Sequence, residues 1–285
     1  MHIVTDSAMD VTPEQIAGFK VHFLPLKVTL EDKTYSSGVD LQPKDFYRML
    51  GETESFPITS QPSSGEFAEL YRSLAKTDPD ILSIHISSGL SGTLNAAKAG
   101  AAMVPEAKVT FYDTHTLSCP EGWHVLAAAS AAQAGAKVKD ILAMMENISK
   151  NTMGLFTLAS LKYLVHGGRI NHLKGLLASL LNIKPVIGPD KIEGKYVTFG
   201  QEITFKRAVS KIGDVLLQYY PEGSEMRIQP LHGDNLAGVE LLRERLNQIF
   251  QVTWEPLAVV TPALGAHTGP SLVGLSAAPL SVFKV

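Results

Sequence analysis

Apolar runs of strand length alternate with segments of helical period through the first half of the chain, and this alternation limits the fold more than any other feature. The strand candidates are Ile3–Thr5, Val21–Leu30, Ile81–Ser87 and Lys108–Asp113. Between them Phe67, Leu70, Tyr71 and Leu74 fall at i, i+3, i+4 and i+7, as do Val138, Ile141, Leu142 and Met145. The pattern predicts an α/β fold whose first unit has a mainly parallel sheet flanked by helices. Composition loosens from Asn151 to Gly154, which places a boundary between a domain over 1–154 and a second over 155–285. In the second, a helix through Leu158, Leu161 and Leu164 stops at Gly167-Gly168, a pair suited to a left-handed cap. A short helix over Leu176–Leu181 follows, then strands at Pro185–Ile187 and Tyr196–Phe199. Helices at Ala208–Tyr219 and Asn235–Ile249 flank a strand near Arg227–Leu231. Strands at Leu257–Thr261 and Leu280–Val285 close the chain.

Composition removes several classes of function. Apolar residues make up 45% of the 285 residues, enough for a large core, and the formal charge is −3 with no block of Lys or Arg. Nucleic acid and anionic membrane are therefore poor partners. The single cysteine, Cys119, rules out an internal disulfide and reads as a small buried residue. No Cys/His cluster has zinc spacing, so no metal or other cofactor is expected. The first residues, Met1-His2-Ile3-Val4-Thr5-Asp6, start as a strand and not as a signal peptide. The nearest approach to a membrane span, Trp123 to Ala136, is broken by Ser130 and Gln133 and reads as a buried helix. The expectation is a cytoplasmic protein with no integral membrane span, and a monomer by default.

Three loops gather polar chemistry at predicted element ends. Ser87-Ser88-Gly89-Leu90-Ser91-Gly92-Thr93 links an apolar strand to an Ala-rich helix, where free N–H groups and hydroxyls suit an anion. Each hydroxyl taken singly reads as a helix cap. Thr59-Ser60-Gln61-Pro62-Ser63 precedes the helix of Phe67, and Ser60 or Ser63 fits its cap, which leaves Thr59 unexplained. His267-Thr268-Gly269-Pro270 follows an apolar run as a tight turn that aims an imidazole into a cleft. Asp6, Asp10, Asp113 and Arg169 read as local turn or cap groups.

Taken in order, these motifs resemble the DegV family. Thr5-Asp6-Ser7 with Asp10 is similar to the family's opening, and the two hydroxyl loops to its second and third motifs. Leu161-Lys162-Tyr163-Leu164 leading to Gly167-Gly168-Arg169-Ile170, then Ile183-Lys184-Pro185 and His267-Thr268-Gly269-Pro270, complete the set. The resemblance implies two α/β domains, the second with a mixed sheet, and one long-chain fatty acid bound between and within them. It implies that Thr59 and Ser91 hold the carboxylate and His267 closes the head-group site, with Ser60, Gly92, Thr93 and Thr268 in support. It further implies presentation of the acid to a separate ATP-dependent fatty acid kinase, whose acyl phosphate feeds phospholipid synthesis. Members that serve the kinase often carry an Arg-Thr pair here replaced by Glu202-Ile203-Thr204-Phe205-Lys206-Arg207, where the Arg is missing or shifted. Asp113-Thr114-His115-Thr116 also departs from the family's wording.

The physics of such a ligand fits a hydroxyl site. Each buried methylene contributes about 0.8 kcal/mol, so the tail dominates affinity and the hydroxyls fix orientation, with no Lys or Arg required. Three other readings compete. Gly89-Leu90-Ser91-Gly92-Thr93 is one residue from a G-x-S-x-G elbow, which would make Ser91 a hydrolase nucleophile, His267 its base and Asp113 or Asp234 the orienting acid. A polyol phosphotransferase subunit would use His267 or His85, and an interaction protein would make the pocket incidental.

Overall fold

The computed structural model describes residues 1–173 and 183–283. The chain opens with β1 (His2–Asp6), the short helix α1 (Pro13–Ile16) and β2 (Val21–Leu24). Strands β3 (Lys27–Leu30) and β4 (Lys33–Ser36) follow, then α2 (Pro43–Glu52) and β5 (Ile58–Ser60). Helices and strands then alternate as α3 (Ser64–Ala75), β6 (Asp80–His85), α4 (Thr93–Ala101), β7 (Lys108–Asp113), α5 (Ser118–Gln133) and α6 (Val138–Asn151).

The first sheet runs β2-β1-β6-β7, every pair parallel. Its strands are apolar on both faces because helices cover both. Val4 and Ile81 pack on Phe67 and Tyr71 of α3 and Ala97 of α4. Ile3, Leu82 and Ile84 pack on Val125 and Ala128 of α5 and Ile141 and Met145 of α6. The continuous strand expected over Val21–Leu30 is instead two strands in two sheets. Pro25, which has no N–H for a ladder, separates β2 from β3. Strand β3 then joins a three-stranded antiparallel sheet of order β4-β3-β5.

The second half adds β8 (Met153–Thr157), α7 (Lys162–His166), β9 (Lys184–Pro189), β10 (Tyr196–Glu202) and α8 (Phe205–Leu216). It ends with β11 (Glu225–His232), α9 (Leu236–Ile249), β12 (Gln251–Trp254), β13 (Ala258–Val259), α10 (Pro262–Thr268) and β14 (Val273–Pro279). These strands form a mixed sheet of order β10-β9-β8-β14-β11-β12, with β13 also on β11. On one face Val209, Ile212 and Leu216 of α8 and Leu242 and Leu246 of α9 pack against Leu155, Ile228 and Leu275. Another cluster joins the halves, bringing Leu26, Phe46, Ile86 and Leu117 against Phe156, Leu164, Leu231 and Leu264. Among the described residues no helix is long and apolar enough to cross a membrane.

Several expected elements are corrected. Of the run Leu257–Thr261 only Ala258 and Val259 enter a ladder. The closing strand lies earlier, at Val273–Pro279, and Leu280–Phe283 forms a 3-10 turn. The tight turn around His267 is a helix, α10, started by Pro262 at its first position and ended at Gly269, whose φ is +72°. Thr59 lies in strand β5, not in a loop. The helix expected over Leu176–Leu181 lies outside the described residues.

Candidate functional site

Strand β5 is three residues long and, among the described residues, pairs only with β3, Thr59 lying opposite Val28. Ser63 caps α3 in a reciprocal box with Glu66, so the helix start consumes Ser63 and leaves Thr59 free of that duty. The first turn of α10 is secured from the other half of the chain. Asp10 Oδ1 accepts the Thr261 N–H at 2.8 Å, and Ser37 Oγ accepts the Ala263 N–H at 3.0 Å. His267 sits in the last turn of this helix, and its Nε2 lies 2.7 Å from Thr59 Oγ1.

Ser91 comes to the same place from the loop before α4. Its Oγ lies 2.8 Å from Thr93 Oγ1 and accepts the Thr93 N–H at 3.3 Å. Ser91 therefore keeps a local capping bond as well as facing a cavity. That cavity, about 30 Å³, is lined by Thr59, Ser60, Ser91 and His267 together with Gln61 and Arg169. Gly92 is the cap residue of α4, and a Cβ there would come within 3.1 Å of the Gln61 amide nitrogen. Thr93 is buried behind Ser91, while the Thr268 hydroxyl donates to Leu264 O at 3.1 Å and borders a neighbouring apolar cavity.

Arg169 corrects the expectation of a site without a cation. Its Nε donates to Leu90 O at 3.4 Å and its Nη1 to Gly167 O at 2.6 Å. Both acceptors are uncharged carbonyls, so neither cancels the guanidinium charge. Burial lowers the Arg169 pKa from its ordinary value. Burial also pushes the His267 imidazole down to about 3, and the nearby Arg169 and His166 add to the shift. At neutral pH the cavity is thus lined by a neutral imidazole, the three hydroxyl residues Thr59, Ser60 and Ser91, and one guanidinium, a set suited to a single carboxylate. Gly167 is what lets the imidazole lie there, because a Cβ on it would stand 2.0 Å from His267 Nδ1. From the sequence alone Arg169 reads as a turn residue. The signal was its position directly after Gly167-Gly168, the pair that ends α7.

The polar cavity shares Leu117, Tyr196 and Leu264 with an apolar one, also about 30 Å³, formed by residues such as Leu155, Phe156, Leu231 and Leu275. This second cavity lies between the cluster that joins the halves and the core beneath α8 and α9. A charged cavity backed by an apolar one matches an amphiphile with an anionic head.

The hydrolase geometry is not assembled. His267 Nε2 meets Thr59, and among the described residues its buried Nδ1 has no hydrogen bond and no carboxylate orients the ring. The Asp113 carboxylate instead accepts the Ser88 and His115 N–H groups. His85, proposed for a phosphotransferase, is fully buried between Ser83 and Asp6, out of reach of a substrate. Cys119 is buried, its Sγ donating to Asp10 O at 3.2 Å, and burial raises its thiol pKa well above the ordinary value. Among the described residues no group of His, Cys, Asp and Glu is placed to hold a metal.

The family described as uncharacterised protein, DegV family, matches residues 1–280. The chain belongs to the DegV family. It is 32% identical over 277 residues to a DegV domain-containing protein of Deinococcus radiodurans, covering 97% of this chain and 95% of the relative. Among solved structures it resembles a DegV family protein of Thermus thermophilus, described by its fatty acid binding, with a TM-score of 0.88 and 29% identity over 98% of this chain and 99% of that one. It also resembles DegV of Bacillus subtilis, described as a fatty acid binding protein, with a TM-score of 0.86 and 28% identity over 98% of each chain. The α/β architecture, one parallel and one mixed sheet, is thus that of solved DegV structures.

Proposed function

We propose that this DegV family member binds one long-chain fatty acid, its carboxylate in the polar cavity and its tail in the apolar one. The observation that carries the reading is the meeting of Thr59 and His267 at 2.7 Å beside Ser91 and Arg169, at the mouth of an apolar cavity. Thr59 and Ser91 offer hydroxyl donors, His267 a neutral ring nitrogen, and Arg169 the compensating charge. Bonds to a charged group contribute about 1.5–3 kcal/mol each, whereas a long tail at about 0.8 kcal/mol per methylene contributes several times more. Affinity therefore comes from the tail and orientation from the head.

The reading retains two units, 1–154 and 155–285, in a cytoplasmic monomer that acts as a carrier. Delivery to a separate ATP-dependent fatty acid kinase, and onward to phospholipid synthesis, completes it. Thr204 caps α8 through the Arg207 N–H. Arg207 itself is exposed and pairs with Glu202 at 3.1 Å, which leaves a cation close to Thr204. Mass spectrometry of ligand released by denaturing natively purified protein tests the carrier. One fatty acid per chain is expected, and none even after incubation with fatty acids would overturn the reading.

A further inference from the structure

The loop that carries Ser91 is tied to one residue, Ser87, just past β6. Ser87 is fully buried, and its Oγ accepts the Gly89 N–H at 3.1 Å. Its carbonyl accepts the N–H groups of Leu90 and Ser91, both at 3.0 Å. Leu90 in turn offers its own carbonyl to Arg169 Nε at 3.4 Å. The Ser91 hydroxyl and the Arg169 guanidinium, two of the groups that line the polar cavity, therefore both depend on the conformation of residues 87–90. Ser87 itself lies outside that lining.

What fixes Ser87 comes from the other half of the chain. Its Oγ donates to Gly194 O at 2.9 Å, across 107 residues. A hydroxyl has one proton to give, so bonding to Gly194 leaves its lone pairs for the Gly89 N–H, and both bonds are satisfied together. Gly194 belongs to the turn between β9 and β10, and Asp190 builds that turn. The Asp190 carboxylate accepts the N–H groups of Ile192, Glu193 and Lys195, and its carbonyl accepts the Gly194 N–H at 3.1 Å. Turn and loop meet with no room for a side chain on either. A Cβ on Gly194, whose φ is +64°, would stand 2.0 Å from Ser87 Oγ, and one on Gly89 would stand 2.2 Å from Glu193 O.

We propose that the β9–β10 turn clamps the head-group loop, with Ser87 and Asp190 as positioning residues that hold Ser91 and the Leu90 carbonyl where an anionic head is told from an uncharged one. The inference rests on the fatty-acid reading and deepens it. Neither positioning residue touches the ligand. Each acts through backbone that two distant segments hold in place together, so losing either should blunt recognition of charge and leave the apolar cavity as it is.

The test compares the dissociation constants of palmitic acid and 1-hexadecanol, which share a tail and differ in the head, for the full chain and its variants. The parent should prefer the acid by about tenfold or more, since bonds to a charged group are the stronger. Ser87→Ala frees the loop from the turn and removes no group that lines the head-group cavity. It should cut the preference by about fivefold or more and leave hexadecanol within about twofold. A merely structural loss would weaken both ligands alike. Equal losses, no loss, or a parent without preference overturn the clamp and leave the carrier intact. No binding of palmitic acid by the parent overturns both. Should Ser87→Ala fail to fold, Asp190→Ala loosens the turn from its half-buried side. Removing a carboxylate would by charge alone favour the acid, so a fall in preference there reports the geometry, and an unchanged or higher preference overturns the proposal.

Discussion

Thr59 and Ser91 bring hydroxyls to the polar cavity from two separate elements, and each hydroxyl has a partner on the protein that a ligand can share. Thr59→Ala or Ser91→Ala removes a donor to a charged group and little packing. The expected loss is about 1–3 kcal/mol, or roughly 5- to 150-fold in fatty-acid affinity, with the fold unchanged. Calorimetric titration reads this directly, and parental affinity in both variants would take the two residues out of the site. A second residue, remote from the head group, should govern stability against pH. Glu121 is fully buried, with Oε1 3.5 Å from Thr5 Oγ1 and Oε2 without a hydrogen bond among the described residues. Burial first, then the charges of Asp6 and Asp10, raise its pKa well above the ordinary value. The native chain thus keeps a proton that the unfolded chain releases above the ordinary carboxylate range. This group therefore subtracts stability as pH rises through the window between its unfolded and folded pKa. Glu121→Gln keeps the shape and removes the titration. The variant should gain on the parent by up to about 1.4 kcal/mol per pH unit across that window. Urea denaturation at a series of pH values measures the gap, and a gap that stays constant with pH refutes the assignment.

At the scale of elements, α10 is the piece that needs the most help. Seven residues are too few for a helix to persist alone. Its start is held by Asp10 and Ser37, and by the Tyr47 hydroxyl donating to Val260 O at 3.2 Å. Asp10→Ala strands the Thr261 N–H and should cost about 1–3 kcal/mol of stability. It should also lower fatty-acid affinity, because His267 loses its firm footing although Asp10 takes no part in the head-group cavity. Unchanged affinity would mean that α10 is positioned by packing alone. Helices and strands with strong periods, such as α3, α6 and β7, were legible in the sequence because their own residues decide them. Strand β14 was not, since Gly274, Ser276 and two alanines carry no strand signal and their pairing comes from β8 and β11. Neither was α10, whose caps are supplied from the far end of the chain. The same reason explains the site. The hydroxyls of Thr59 and Ser91 stood out locally, but Arg169 acquires its meaning only when Leu90, Gly167 and His267 surround it.

For the whole molecule, the cluster joining the sheets decides how the chain unfolds. Residues of both halves, among them Phe46, Leu117, Phe156 and Leu264, share one buried cluster, so opening either half strips the other of part of its core. Trp123 lies in α5 and bonds Gln229 of β11 at 2.8 Å, while Trp254 lies in β12. Circular dichroism and tryptophan fluorescence should therefore trace one coincident urea transition. Two separated transitions would show that the halves are energetically independent. Saturating fatty acid should move that transition as a unit, by about 2.7 kcal/mol at a hundredfold excess over its dissociation constant.

The contact between Thr59 and His267 spans 208 residues, and the bonds that seat α10 span 251 and 226. During synthesis the parallel sheet, Ser91 and Leu117 are all made long before the imidazole leaves the ribosome. A chain that stops before Pro262 lacks His267 of the polar cavity and also Leu264, Leu272 and Leu275 of the apolar one. On the proposed function, a chain cut short before Pro262 should carry no fatty acid, however well its first sheet has folded.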